Sequence, residues 1–371
     1  MKKTAYVAVV PLILAFAIAG FSQPLQYTAA EPFNRAVSAI TLLSVTQQAQ
    51  WKSRAAYDAY NAAFTEKDPA RKAELAAKFI TDFKATEDPS FVTNAYLMMT
   101  KGYLDAKNYP KAMEAANNVD QALPNAPAAQ KATIYSYGMQ AAQAANDVDK
   151  TVAFGEKTLA VNPDDANTML TLAALIPERL PSDEAAKKAA LDKAEKYANN
   201  AMAAVGKIFN GPKPANMPDA DWNAQKNSVM AGIHSDLGLI ALDRAEYDKS
   251  VAEYEQVVKM TPKDPLAQFR LGLAYSGQAA ALTKTYVASV DEQNNAIKAN
   301  ADKAQIDEMK AKSDKLEQEL RAKRTQATDA LATAVAIGGP VAEPAKTQLQ
   351  KLWTGTPEEM NQLIASKKPQ G

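Results

Sequence analysis

The tripeptide Leu-Gly-Leu occurs at Leu237-Gly238-Leu239 and again at Leu271-Gly272-Leu273, 34 residues later. A fixed period of about 20 to 50 residues marks a chain of stacked units, each too small to bury its own apolar face. Within "LGLIALDRAEYDKSVAEYEQVVKMTPKDPLAQFRLGLAY", Leu237, Gly238 and Ala241 share one face of a first helix. Ser250, Tyr254 and Val257, spaced four and three, form the stripe of a second. A polar turn, "LDRAEYD", lies between them with Tyr247 as an apolar plug. Two antiparallel helices need small residues where their backbones approach, which sets Gly238 against Ser250. Pro262 ends the second helix, because its ring cannot continue one and extends the residue before it.

With the phase fixed there, two more copies come into register. Tyr96, Met99, Tyr103, Tyr109, Ala112, Ala116, Val119 and Pro124 fill the corresponding positions of one. Tyr135, Gly138, Ala142, Val148, Thr151, Gly155, Thr158 and Pro163 fill those of the other. The plug-to-proline interval is 15 in all three, from Tyr109 to Pro124, Val148 to Pro163 and Tyr247 to Pro262. This pattern resembles the tetratricopeptide repeat family, with its W-x2-L-G-x2-Y, A-x3-F and P positions in 34 residues. The resemblance implies an all-α fold: an α-solenoid of antiparallel helix pairs wound into a superhelix.

In that family the first helices of successive pairs line a concave groove that holds extended peptides. Carried over by position, the groove takes Asn94, Leu97, Lys101 and Leu104 from one unit and Thr133, Ser136, Gln140 and Gln143 from the next. The C-terminal half supplies Ser235, Leu239, Leu242, Phe269 and Leu273. The groove would thus be polar in its N-terminal half and apolar in its C-terminal half. The Lys/Asn clamp by which the best-known subfamily grips a terminal carboxylate is not matched, since Leu97, Lys101, Ser136, Gln140, Ser235 and Leu239 stand there.

Weaker copies fill the rest. Residues 34–89 read as two longer helices around "TEKDP". Residues 166–206 read as a helix with Met169 and Leu172, a breaker "ERLPSDE", and a long helix with Ala194, Ala198 and Ala201. "NGPKPANMPD", from Asn210 to Asp219, is a Pro- and Gly-rich linker. It gives an N-terminal repeat region (23–206), a linker (207–221) and a C-terminal repeat region (222–371). The C-terminal tail carries capping helices, one opened by Thr356-Pro357-Glu358-Glu359 with its N-cap hydroxyl, first-turn proline and acidic first turn.

From Gln278 to Ile337 the chain has neither Gly nor Pro. The repeat phase needs only its ends, because the helix holding Leu271 and Tyr275 should stop near Gly277 and its partner should supply Ala327, Leu331 and Ala334. Apolar positions continue through the surplus, about 279–324. A projecting long helical hairpin is expected, reversing at "KANAD" with Asp302 and Gln305 as a capping-box pair. One continuous charged helix is the alternative. The run "DEMKAKSDKLEQELRAKR" reads as a solvated face with i, i+4 ion pairs or as a coiled-coil surface for a partner or a second copy.

"MKKTAYVAVVPLILAFAIAGFSQP" places Lys2 and Lys3 before an apolar run and a small-residue exit at Ala17-Ile18-Ala19, the layout of a secretory signal peptide over 1–22. An uncleaved anchor is the alternative. No Cys follows the run, so a lipidated N-terminus is excluded, and export to the periplasm or another extracytoplasmic space is expected.

Cysteine is absent and His234 is the single histidine, which removes thiolate sites and histidine-based zinc or triad chemistry. His234 reads as a residue packed between helices, or as a catalytic group without a nameable partner. Asp164-Asp165 and Glu358-Glu359 sit at helix starts, where the macrodipole explains them, and Trp51, Trp222 and Trp353 read as packing anchors. Lys+Arg and Asp+Glu both number 42, a balance that argues against nucleic acid as partner. The expectation is a non-enzymatic, cofactor-free scaffold that binds other proteins or peptide segments. A self-associating envelope component is the rival, and an enzyme working through carboxylates is a remoter one.

Overall fold

The computed structural model describes residues 50–214 and 217–368. Among these the secondary structure is entirely helical, and the helices pack in consecutive pairs. The signal segment expected over 1–22 and the start of the helix expected from residue 34 lie outside the described residues.

In chain order the elements are α1 (Arg54–Thr65), α2 (Pro69–Phe83), α3 (Pro89–Asp105), α4 (Tyr109–Asn117), the single turn α5 (Val119–Ala122), α6 (Ala128–Ala144), α7 (Val148–Val161) and α8 (Ala166–Glu178). They continue as α9 (Glu184–Asn210), α10 (Asp219–Asp243), α11 (Tyr247–Met260), α12 (Pro265–Lys298), α13 (Lys303–Ile337), α14 (Ala342–Leu352) and α15 (Pro357–Ser366). Their starts are written locally. Asp68, Asp88 and Asp264 each cap a helix whose first turn holds the following proline, so a side-chain acceptor meets orphan N–H groups where the ring costs no bond. Thr356 and Glu359 close a reciprocal capping box at α15.

The turns inside the pairs repeat one geometry. Lys107, Asn146 and Ala245 each adopt positive φ, at 58°, 55° and 57°. In each turn the next residue donates its N–H to a carbonyl five residues back: Asn108 to Tyr103, Asp147 to Ala142 and Glu246 to Ala241. This is the left-handed exit that satisfies a helix's last carbonyls, and the plug residues Tyr109, Val148 and Tyr247 open the next helix immediately. Asn300, at φ 53°, repeats the device between α12 and α13, with Ala301 N–H bonded to Ala296.

Packing follows the stripes. Ser250 Oγ donates to the Gly238 carbonyl at 2.9 Å, the expected small-residue approach of α10 and α11. A Cβ on Gly238 would stand 2.9 Å from the Tyr254 ring, and one on Gly272 2.6 Å from Leu331, so the echoed glycine marks where a large second-helix side chain crosses the first helix. First helices of successive pairs also touch, α3 with α6, α8 with α10, and α10 with α12.

Three local expectations need correction. The helix expected to run from Tyr109 towards Pro124 breaks at Asn118, after two consecutive asparagines of poor helix propensity, although Val119 is still buried. Helices α9 and α10 run into the expected 207–221 linker from both sides, because Phe209 and Trp222 meet there at a tilt, ring centroids 4.5 Å apart, in a core cluster that also holds Ala198 and Ile233. Asp302 caps α13 through the Ala304 N–H alone, without the reciprocal bond from Gln305. Helices α12 and α13 pack on each other through Gly272–Leu331 and a buried Ser289–Ser313 hydroxyl pair at 3.0 Å.

Candidate functional site

The residues expected in the groove stand on the first helices α3, α6, α10 and α12. On α3, Asn94 is half-buried near the Tyr60 hydroxyl, Leu97 and Leu104 pack on the core around Tyr135, and exposed Lys101 is held by Asp105 at 2.7 Å. On α6, Thr133 Oγ1 donates back to the Ala129 carbonyl, Gln140 donates to Ser136 Oγ at 3.3 Å, and Gln143 is exposed. Leu239 and Leu273 are half-buried. Leu242 packs beside Tyr254 and Tyr275, whereas Phe269 packs towards Leu331, Leu349 and Met360. Ser235 accepts from Arg270 Nη1 at 3.5 Å, the one direct hydrogen bond joining α10 to α12 in this set.

That contact opens onto a cluster that the groove assignment passes over. Around Arg270 of α12 stand Glu178 at the end of α8, Asp236 and Asp243 of α10, and Tyr254 of α11. Arg270 Nη2 is 3.7 Å from Glu178 Oε1, and the arginine side chain is 14% exposed. The Tyr254 hydroxyl, fully buried, lies beside it without the geometry of a full hydrogen bond. Asp236 is 8% exposed, and burial, aided by the nearby Glu178 and opposed by Arg270, lifts its carboxyl to about 8. Burial likewise raises Asp243 to about 6, with Lys187 and Arg270 pulling the other way and Glu178 adding to the rise. Burial works against the Arg270 charge, but Tyr254, Glu178 and Asp236 outweigh it and hold the guanidinium protonated more firmly than usual.

The sequence carries a signal for this cluster. The residue immediately before Leu-Gly-Leu is Asp236 in one copy and Arg270 in the next, opposite charges at one repeat position.

His234 Nδ1 lies 2.6 Å from Glu253 Oε2, linking α10 to α11 with the imidazole mostly covered. Next to Glu253 a cavity of about 40 Å³ lies among Glu195, Ile240, Arg244 and Lys249, too small for more than a water or two. Arg244 closes it by pairing with Glu195 at 2.5 Å and Asp192 at 2.6 Å. Trp51 stacks on Phe91 with centroids 3.6 Å apart, and Trp353 Nε1 donates to the Thr356 carbonyl, so both are packed at the ends of the described array. Among the described residues, no group of three or more His, Asp and Glu side chains could hold a metal ion, and no helix is long and apolar enough to cross a membrane. In comparison with known proteins, the chain matches no family model and no curated sequence.

Proposed function

We propose that the chain is a non-enzymatic scaffold of the tetratricopeptide type, exported to the cell envelope, that binds segments of other proteins along a concave face built from α3, α6, α8, α10 and α12. The observation that carries this reading is the repeated turn at Lys107, Asn146 and Ala245, because one turn geometry at corresponding positions makes each helix pair a like unit, as stacking in series requires. The resulting solenoid offers half-buried Leu239, Leu242 and Leu273 as apolar contacts beside Ser235. On this reading α12 and α13 extend beyond the array as a hairpin, since Val287 and Ile297 are exposed on α12.

A photo-crosslinking residue at Leu239 or Leu273 of the full chain, exposed to envelope extract, should give discrete adducts. The same residue at Lys259, on the second-helix surface, should not. Equal labelling at both places, or none at Leu239 and Leu273, would count against the groove. The exposed Val287 and Ile297 support a second reading, self-association through the hairpin. A mass by light scattering that equals the monomer, unchanged by Val287→Glu with Ile297→Glu, would remove it.

A further inference from the structure

We infer that Arg270 is a proton-operated latch between the two halves of the helix array: it pairs with Glu178 of α8 while Asp236 holds a proton, and turns to Asp236 of α10 when that proton leaves. Three observations on the geometry lead there.

First, the cluster is unbalanced. Glu178, Asp236 and Asp243 face one guanidinium, and besides it Asp236 has no cation named on it and Asp243 has Lys187 of α9. A buried carboxylate without its own cation cannot stay charged at ordinary cost and keeps a proton instead. Second, Arg270 is loosely held. Its contacts to Glu178 and Ser235 are 3.7 and 3.5 Å, whereas Arg244, one turn beyond Leu239–Ile240 on α10, is locked by two carboxylates at 2.5 and 2.6 Å. A guanidinium with five donors and two long contacts has capacity left for another acceptor. Third, the acceptors sit on different elements. Glu178 ends α8 on the N-terminal side of the Pro-rich segment, and Asp236 stands on α10 after it, so the choice of acceptor decides whether α12 is tied across that segment or only to its neighbour.

The remaining groups facing the cluster do not supply a competing switch. Asp243 of α10, lifted to about 6, titrates below the exchange. Tyr254 of α11 is held neutral by burial, and Ser235 does not ionise. His234 and Glu253 pair with each other between α10 and α11. The Asp236 carboxyl, lifted to about 8, places the exchange in mildly alkaline solution. The latch works whether or not a segment occupies the groove.

The test is carboxyl-carbon NMR on the full chain labelled at aspartate, with the Arg270 guanidinium nitrogens followed in parallel between pH 5.5 and 9.5. Asp236 should titrate near 8, and the Arg270 signals should move with the same midpoint. Glu178→Gln should lower that midpoint, because it removes the charge that raises Asp236 and leaves Arg270 only the α10 carboxyls. Asp236→Asn should abolish the Arg270 transition near 8, leaving at most a step near 6 from Asp243. If Asp236→Asn does not fold, the Glu178→Gln shift decides alone. An Asp236 midpoint below 6, or an Arg270 signal that stays flat while Asp236 titrates, overturns the latch.

Discussion

The Ser250 hydroxyl hydrogen-bonds the Gly238 carbonyl where the Tyr254 ring crosses the glycine, so one small residue on each helix lets α10 and α11 approach closely. The bond is buried and links residues 12 apart. Both partners are therefore sensitive to substitution. Gly238→Ala should lose about 1–3 kcal/mol, because the new methyl meets a fully buried ring that has no room to yield. Ser250→Ala should lose about 0.5–1.5 kcal/mol for the missing hydrogen bond. Urea unfolding followed by far-UV circular dichroism measures both, and a Gly238→Ala protein as stable as the parent contradicts the close approach.

The repeated turn yields a prediction of opposite sign. Ala245 and Lys107 hold a left-handed conformation that costs an L-residue about 1–2 kcal/mol and costs glycine little. Ala245→Gly and Lys107→Gly should each stabilise by up to about 1 kcal/mol, partly offset by the added freedom of the unfolded chain. Asn146→Gly should gain less, since asparagine tolerates this region. Melting temperatures ranked in another order would show that the turns are held by something other than backbone conformation.

Leu331 is fully buried, with its side chain over Gly272 and in one cluster with Leu349 and Met360. Leu331→Ala should cost about 2–5 kcal/mol, the usual range for a buried leucine. Val287→Ala, on an exposed position of the same long pair, should change stability by less than about 0.5 kcal/mol. The two unfolding midpoints should separate accordingly.

Stability should fall as pH rises from about 5 to about 8. Asp236 is lifted to about 8 and Asp243 to about 6 in the folded chain, both above the ordinary aspartate value of about 3.9. The folded state then binds protons that the unfolded chain has released, so this contribution is complete below about 4 and is lost as pH climbs through the folded values. For Asp236 the whole loss is on the order of 5 kcal/mol. In Asp236→Asn the decline should stop near 6, where Asp243 finishes titrating. Thermal melts at half-unit intervals from pH 5 to 9 would reveal the difference.

How far the sequence could be read follows from where each force acts. The helix pairs and their phase were legible because the stripe at Ser250, Tyr254 and Val257, the plug at Tyr247 and the stop at Pro262 are all local. The buried positions of Leu331, Ala327 and Ala334 were reachable by carrying that phase across the long insertion, and all three are fully covered. The continuity of the core past "NGPKPANMPD" was not legible, since the Phe209–Trp222 contact depends on how α9 and α10 fold back. Composition in that stretch speaks only for the turn. The charged cluster was half-visible. Asp236 and Arg270 share a repeat position, but Glu178 ends a helix 92 residues before Arg270, and only the stacking of α8, α10 and α12 brings it in.

The cluster of Phe209, Trp222 and Ile233 has a consequence for how the molecule comes apart. Because those side chains seal the two sides of the Pro-rich connection together, a protease cut between Pro212 and Pro218 severs the peptide without exposing a finished surface on either piece. The nicked halves should travel through a sizing column as one particle and melt in one transition, and they should part only when the shared aromatic seam is itself dissolved.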